Sequence, residues 1–298
     1  TLTHRKDLTL LVDSLSFTLN DGERLALIGE EGNGKSTLLR VLAGDPSVES
    51  YIEVSGSFSC RDSAAYLPQE LPESERALSA YDFFCMSPVF FDQSPRELGE
   101  LAARLSLPAD VFYSDQLMQT FSGGERVKLQ LARLLMGKPA TLLLDEPTND
   151  LDSNSVLWLE NFLLSCKLTV LFVSHDEELL SRVATSVLLL ERLRRRQVPR
   201  ATLYAMGYDQ FYEERGAAFE KQTQIARKER EEFKAKMERY ETIRSKVERD
   251  QNAISRGDPH GGFLLKKKMH TVQAMGRRFE REQENMTAMP EQEEAIFA

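Results

Sequence analysis

An α/β phosphate-loop domain followed by a long antiparallel α-helical hairpin is the fold class that this sequence predicts, on three observations. Gly29-Glu-Glu-Gly-Asn-Gly34-Lys35-Ser36-Thr37 matches the phosphate-binding pattern G-x-x-x-x-G-K-[ST]. Short apolar runs end in polar residues at Leu142-Leu-Leu-Asp145 and Leu171-Phe-Val-Ser174, as strands buried on both faces of a parallel sheet do. Beyond Met206-Gly207 the composition turns charged and glycine-poor, with apolar residues recurring seven apart.

The first element that matters is Arg24-Leu-Ala-Leu-Ile28, a buried-strand pattern. The loop Gly29 to Thr37 follows, and Ser36 to Ala43 has helical character. Gly29, Gly32 and Gly34 let successive backbone N–H groups curl around phosphate oxygens, with Glu30, Glu31, Asn33 and Thr37 completing the loop. Lys35 is placed to reach the β- and γ-phosphates, and Ser36 offers a hydroxyl to magnesium at a helix N-terminus that favours anions. The ligand class is a nucleoside triphosphate with a metal.

Next come Tyr66-Leu-Pro-Gln69, then Phe121-Ser122-Gly123-Gly124-Glu125-Arg126 opening a helical run from Val127 to Met136. Thr141-Leu-Leu-Leu-Asp145-Glu146-Pro-Thr-Asn-Asp150-Leu-Asp152 and Val173-Ser174-His175-Asp176 close the series. Asp145 falls at the C-terminal end of a buried strand, where ligands of open α/β sheets collect. It is placed to orient a magnesium shell. Glu146 is placed to hold the attacking water or take its proton. His175 is a candidate contact for the transferred phosphate, and Gln69 for the metal or the water. Phosphoryl transfer needs such positioning and charge neutralisation, and no covalent nucleophile.

In that order and spacing the motifs resemble those of ATP-binding-cassette (ABC) ATPases: Q-loop, signature, Walker B strand, D-loop and switch histidine. The resemblance implies that Ser122, Gly123, Gly124 and Glu125 act on ATP held by an opposing cassette. Two sites then form at a head-to-tail interface, and a single cassette hydrolyses ATP weakly. A second cassette is therefore an expected partner, from elsewhere in a longer chain or from another copy. Cassettes of this kind commonly stack an aromatic ring on adenine, for which His4 is the nearest candidate.

At 298 residues the chain has room for one large domain and an appendage. No apolar run approaches the roughly 18–20 residues that span a bilayer, and Thr1-Leu-Thr-His-Arg-Lys6 does not read as a secretory leader. Cys60, Cys85 and Cys166 have no ligand-like spacing and read as reduced thiols of a cytoplasmic protein. The net charge of −9 sits almost entirely in the first domain. Between Arg227 and Arg281 there are about sixteen Lys/Arg against about nine Asp/Glu.

Tyr208 begins the appendage. Ala226, Phe233, Tyr240, Val247 and Ile254 form one heptad row, and Leu265, Val272, Phe279 and Met286 another. Asp258-Pro259-His260-Gly261-Gly262 reads as the turn between them. Folding back there sets Ile254 against Leu265, Val247 against Val272, Tyr240 against Phe279 and Phe233 against Met286. The paired part spans on the order of 35 Å at 1.5 Å per residue. Arg256, His260, Lys266, Lys267, Lys268 and His270 cluster near the turn, and phosphate neutralisation is the simplest use of such charge.

A cassette with such a hairpin resembles the ABC-F proteins, soluble ATPases with two cassettes joined by a helical linker, which act on ribosomes. The resemblance implies a cassette over residues 1–207 and a linker hairpin over 208–290 with a basic tip at 256–270. It also implies ATP and Mg2+ as cofactors, and ribosomal and transfer RNA as contacts of Arg256, Lys266, Lys267 and Lys268. The implied role is translation factor or antibiotic-resistance ribosomal protection. Residues 291–298 stand where a second cassette would begin, so a piece of a longer protein is expected. The alternative is the ATPase subunit of a membrane transporter, whose partner surface would lie in Glu70 to Thr120; that segment shows no clear sign of one in sequence.

Overall fold

The computed structural model describes residues 1–59, 63–192, 198–253, 259–284 and 286–287. Cys60, three hairpin positions (Ile254, Arg256 and Asp258) and the expected start of a second cassette at 291–298 lie outside the described residues, as do the side chains of Pro259 and His260. The chain divides into two compact units, one spanning Thr1–Tyr212 and the other Glu213–Gln292.

In the first unit, β3 (Arg24–Ile28), β5 (Ala64–Leu67), β6 (Thr141–Asp145), β7 (Thr169–Val173), β8 (Ser186–Arg192) and β9 (Val198–Tyr204) form one sheet in the order β5-β6-β7-β3-β8-β9. Pairing is parallel except for β8 with β9. β6 and β7 are buried almost throughout, as strands covered on both faces must be. A second sheet pairs β1 (Leu2–His4) with β2 (Leu10–Val12) and β4 (Ile52–Val54).

Helix α1 (Lys35–Leu42) covers one face, where Leu25, Leu27, Leu38, Leu39, Leu143 and Leu171 form a cluster. On the other face, Ala26, Leu142, Leu144 and Phe172 pack with α3 (Ala80–Cys85), α4 (Pro95–Leu105), α5 (Gly123–Met136), α6 (Ser153–Ser165) and α7 (Glu177–Val183). Cys166 is buried and Cys85 half-buried, both as free thiols. α5 begins four residues before the expected Val127, because Ser122 and Glu125 form a reciprocal capping box that starts the helix at the signature itself.

α8 (Tyr208–Ala253) begins at the residue expected, yet its first turn belongs to the first unit. Tyr208 and Phe211 are buried in the cassette core, with Phe211 edge-on to Tyr204 at 4.9 Å. The compact units therefore divide at Tyr212, not at Gly207, where composition changes.

The second unit pairs α8 with α9 (Pro259–Glu284) in antiparallel fashion. Gln251 donates to the Leu265 carbonyl at 3.5 Å, Tyr240 meets Phe279 edge-on at 5.5 Å, Lys236 pairs with Glu282, and the Thr287 N–H donates to Glu229 at 2.8 Å. Phe233 packs on Phe279 at 6.3 Å, so that one ring serves two positions of the facing row. Val247 and Val272 are both buried. The expected turn needs correction: Pro259 to Gly262 are helical. Proline at the first helical position lacks only an N–H that would be unpaired there anyway, so it opens α9. Phe279→Ala is expected to lower the pair's stability by about 2 kcal/mol, less than a fully buried ring costs. Faster amide hydrogen exchange along α8 and α9, with α5 and α6 unchanged, is the readout.

Candidate functional site

The phosphate loop leaves the buried end of β3 and enters α1. Gly29, Gly32 and Gly34 have φ of +156°, +78° and +87°, a region that L side chains rarely adopt. At Gly29 space matters as well, since a Cβ would stand 2.2 Å from the Leu190 carbonyl oxygen. Asn33 is buried and donates to that same carbonyl at 2.9 Å, which pins the loop to β8. Glu31 is exposed, Glu30 half-buried, and Thr37 lies in the first turn of α1.

Lys35 is 8% exposed, its ammonium donating to the carbonyls of Gly29 at 2.5 Å and Glu30 at 3.2 Å. Burial pushes its pKa down, opposed by the negative charges of Glu146, Glu31, Asp145 and Glu30. Ser36 donates its hydroxyl to Asp145 Oδ1 at 3.0 Å, joining α1 to the end of β6. Tyr66 donates to the other oxygen, Oδ2, at 2.9 Å, and Arg40 Nε donates to the Tyr66 oxygen at 3.3 Å. Sequence reading assigned neither Arg40 nor Tyr66 a role, although Tyr66 stands at the head of the Tyr66-Leu-Pro-Gln69 motif.

Glu146 follows with φ of +47°, a left-handed conformation uncommon outside glycine and costing on the order of 1–3 kcal/mol. Its N–H still reaches the Val173 carbonyl at 3.0 Å, so the turn is held against the end of β7. The carboxylate is buried and meets His175 Nε2 at 3.1 Å. Burial raises its pKa above the usual carboxylate range, while His175 and Lys35 pull it down. His175 is about half exposed, and Gln69 is exposed beyond the end of β5.

These groups fit a nucleoside triphosphate with magnesium. The backbone cradle cannot accept a Cβ at Gly29, the ammonium lies against the loop whose bound phosphates it would neutralise, and Ser36 with Asp145 supplies the hard oxygen donors that magnesium prefers.

Ser122, Gly123 and Gly124 form the N-terminus of α5, apart from these contacts. A Cβ at Gly123 would stand 2.2 Å from the Asp150 carbonyl oxygen, and one at Gly124 would stand 2.1 Å from Ser155 Oγ. Both glycines are thus required by packing against the D-loop and α6 of their own chain. Gly124→Ala is expected to destabilise the cassette by about 1–3 kcal/mol through overpacking, measurable as a lower denaturant midpoint at unchanged slope. His4 lies on β1 with Nδ1 3.0 Å from Asp7 Oδ1 and its ring 6.5 Å from that of Tyr51.

Comparison with known proteins gives a family match, described as ABC transporter, over residues 12–149. Human ATP-binding cassette sub-family F member 3 is 33% identical over 216 residues, covering 62% of this chain and 30% of that protein. The energy-dependent translational throttle protein EttA of Escherichia coli O6:H1 is 34% identical over 217 residues, covering 61% of this chain and 39% of its own length. A solved complex of archaeal ribosomal stalk protein aP1 with the archaeal ribosome recycling factor aABCE1 is 25% identical, with a TM-score of 0.50 over 65% of this chain and 37% of that one. The chain spans well under half the length of either curated relative. The phosphate loop, signature, Walker B strand and switch histidine are carried on one α/β unit followed by a helical pair, and the chain is similar to ABC ATPases of the ABC-F group.

Proposed function

We propose that this chain is the ATP-hydrolysing cassette and linker of an ABC-F protein that acts on the ribosome. The observation that carries the ATPase reading is the convergence of Lys35, Ser36, Asp145, Glu146 and His175, from two strand ends and one helix, on one site. In this reading residues 29–37 bind the phosphates, while Ser36 and Asp145, with Gln69, hold magnesium, whose chemistry is to neutralise the β- and γ-phosphate oxygens. Glu146 orients water or takes its proton, and His175 contacts the γ-phosphate. Ser122 to Glu125 complete the site of a second cassette, so a lone cassette turns over slowly. A cytoplasmic location goes with this reading, and no helix among the described residues is long and apolar enough to cross a membrane.

The ribosome part rests on the hairpin and on what the relatives are named for, translation in EttA and ribosome recycling in aABCE1. Lys266, Lys267 and Lys268 are exposed on α9. Replacing all three by Ala should weaken RNA or ribosome binding and flatten its log–log salt dependence by about 2–3 units, near 0.9 for each phosphate no longer neutralised. The experiment is co-sedimentation with purified ribosomes across a salt series, using Glu146→Gln with and without ATP. ATP-dependent pelleting with the flattened slope supports the reading; pelleting absent at every salt concentration removes it.

One observation favours the transporter reading. Tyr81, Met86, Phe91 and Tyr113, all between Glu70 and Thr120, are exposed, and the Tyr81 and Tyr113 rings stack at 6.3 Å. The receiving surface that the sequence did not reveal thus has a candidate in the fold. Failure to bind ribosomes would make it the next target.

A further inference from the structure

Arg40, Tyr66, Asp145 and Ser36 form one hydrogen-bonded chain running from α1 to β5, to β6 and back to α1. Its direction is set by chemistry. A guanidinium carries donors only, so the phenolic oxygen accepts from Arg40 and the single phenol proton is left for Asp145. Tyr66 stands opposite Leu143 in the β5–β6 ladder, and Asp145 lies on the same face two residues further on. The phenol therefore reaches forward along the strand to a carboxylate only 1% exposed. Ser36 donates its own proton to the remaining oxygen, Oδ1, which leaves the serine lone pairs available to a cation.

We infer that Tyr66 is a positioning residue for the magnesium site, oriented in turn by Arg40. It holds Asp145 Oδ2, so that Oδ1 stays beside Ser36 Oγ and the two oxygens are presented together. Without the phenol hydroxyl, the carboxylate keeps one of its two anchors and is free to rotate about the Ser36 contact. This inference rests on the ATP and magnesium reading above. Partners that orient metal ligands typically change metal affinity or activity by about 10–100-fold.

Tyr66→Phe keeps the ring and removes the hydrogen bond. The measurement is binding of a fluorescent ATP analogue, first in EDTA and then titrated with Mg2+, by the wild-type chain and the variant. The expected result is equal affinity in EDTA and a Mg2+ midpoint raised about 10-fold or more in Tyr66→Phe. Arg40→Gln should move the midpoint the same way by less, because the phenol is then free to turn its proton elsewhere. An unchanged midpoint in a folded Tyr66→Phe overturns the inference; should that variant not fold, an unchanged midpoint in Arg40→Gln does so instead. Affinity lost equally in EDTA and Mg2+ also overturns it, since the phenol would then support the nucleotide pocket at large. If the wild-type chain binds no nucleotide under either condition, the ATP reading falls and this inference falls with it.

Discussion

Glu146→Gln is expected to leave ATP binding intact and to cut turnover by about 10²–10⁴-fold, the range for removing a positioned general base. The substitution keeps the volume of a side chain that is buried and in contact with His175 at 3.1 Å, so folding should survive. In the proposed mechanism it removes the carboxylate that orients or deprotonates water. The pH profile gives an independent check. Burial raises the Glu146 pKa above the usual carboxylate range, and the basic form exists only above that pKa. Wild-type hydrolysis should therefore fall as pH drops through a value higher than an ordinary glutamate's, and the Gln variant should lose that limb. Single-turnover hydrolysis with a partner cassette present, measured across pH, reads both effects; undiminished turnover removes Glu146 from the catalytic role.

Lys35→Ala should weaken ATP affinity by about 10–100-fold, since a hydrogen bond to a charged group contributes about 1.5–3 kcal/mol. A second effect adds to this. Lys35 is the cation facing Glu146, Asp145, Glu30 and Glu31, and without it four carboxylates meet an incoming polyanion. Raising ionic strength should therefore recover part of the lost affinity in Lys35→Ala, by screening exposed Glu31 more than buried Glu146. Isothermal titration at two salt concentrations tests both points. Equal affinity in variant and wild type would mean that the phosphates are held by backbone N–H groups alone.

The conformation of the phosphate loop was legible in the sequence because it is set locally. Gly29 to Thr37 are consecutive, and their conformation follows from glycine freedom and helix initiation within a few residues. Asp145 was placed correctly for a similar reason, since three leucines before it bury the strand and leave the carboxylate at its end. Of the hairpin register, the pairing of Tyr240 with Phe279 was legible as well. A heptad repeat specifies which face is covered, and folding it once leaves few alignments that pair apolar rows, as the contact of Tyr240 with Phe279 illustrates.

What escaped was set by residues distant in sequence. Tyr66 and Asp145 are 79 positions apart, and Ser36 and Asp145 are 109 apart; nothing local in either segment says that one carboxylate will serve both. The signature glycines read as contacts for a partner's ATP; their close packing on Asp150 and Ser155 of the same chain, which leaves no room for a side chain, was not legible in the sequence. The break at Gly207 was displaced because Tyr208 and Phe211 fill the cassette core, which composition does not register. The sequence by itself determined the phosphate-loop pattern, the strand ends that carry the candidate site and the heptads of the helical pair, because spacing along one element decides these. Only the tertiary structure decided the sheet order, the double anchoring of Asp145 and where the two units part, because these depend on which side chains meet once distant segments have packed.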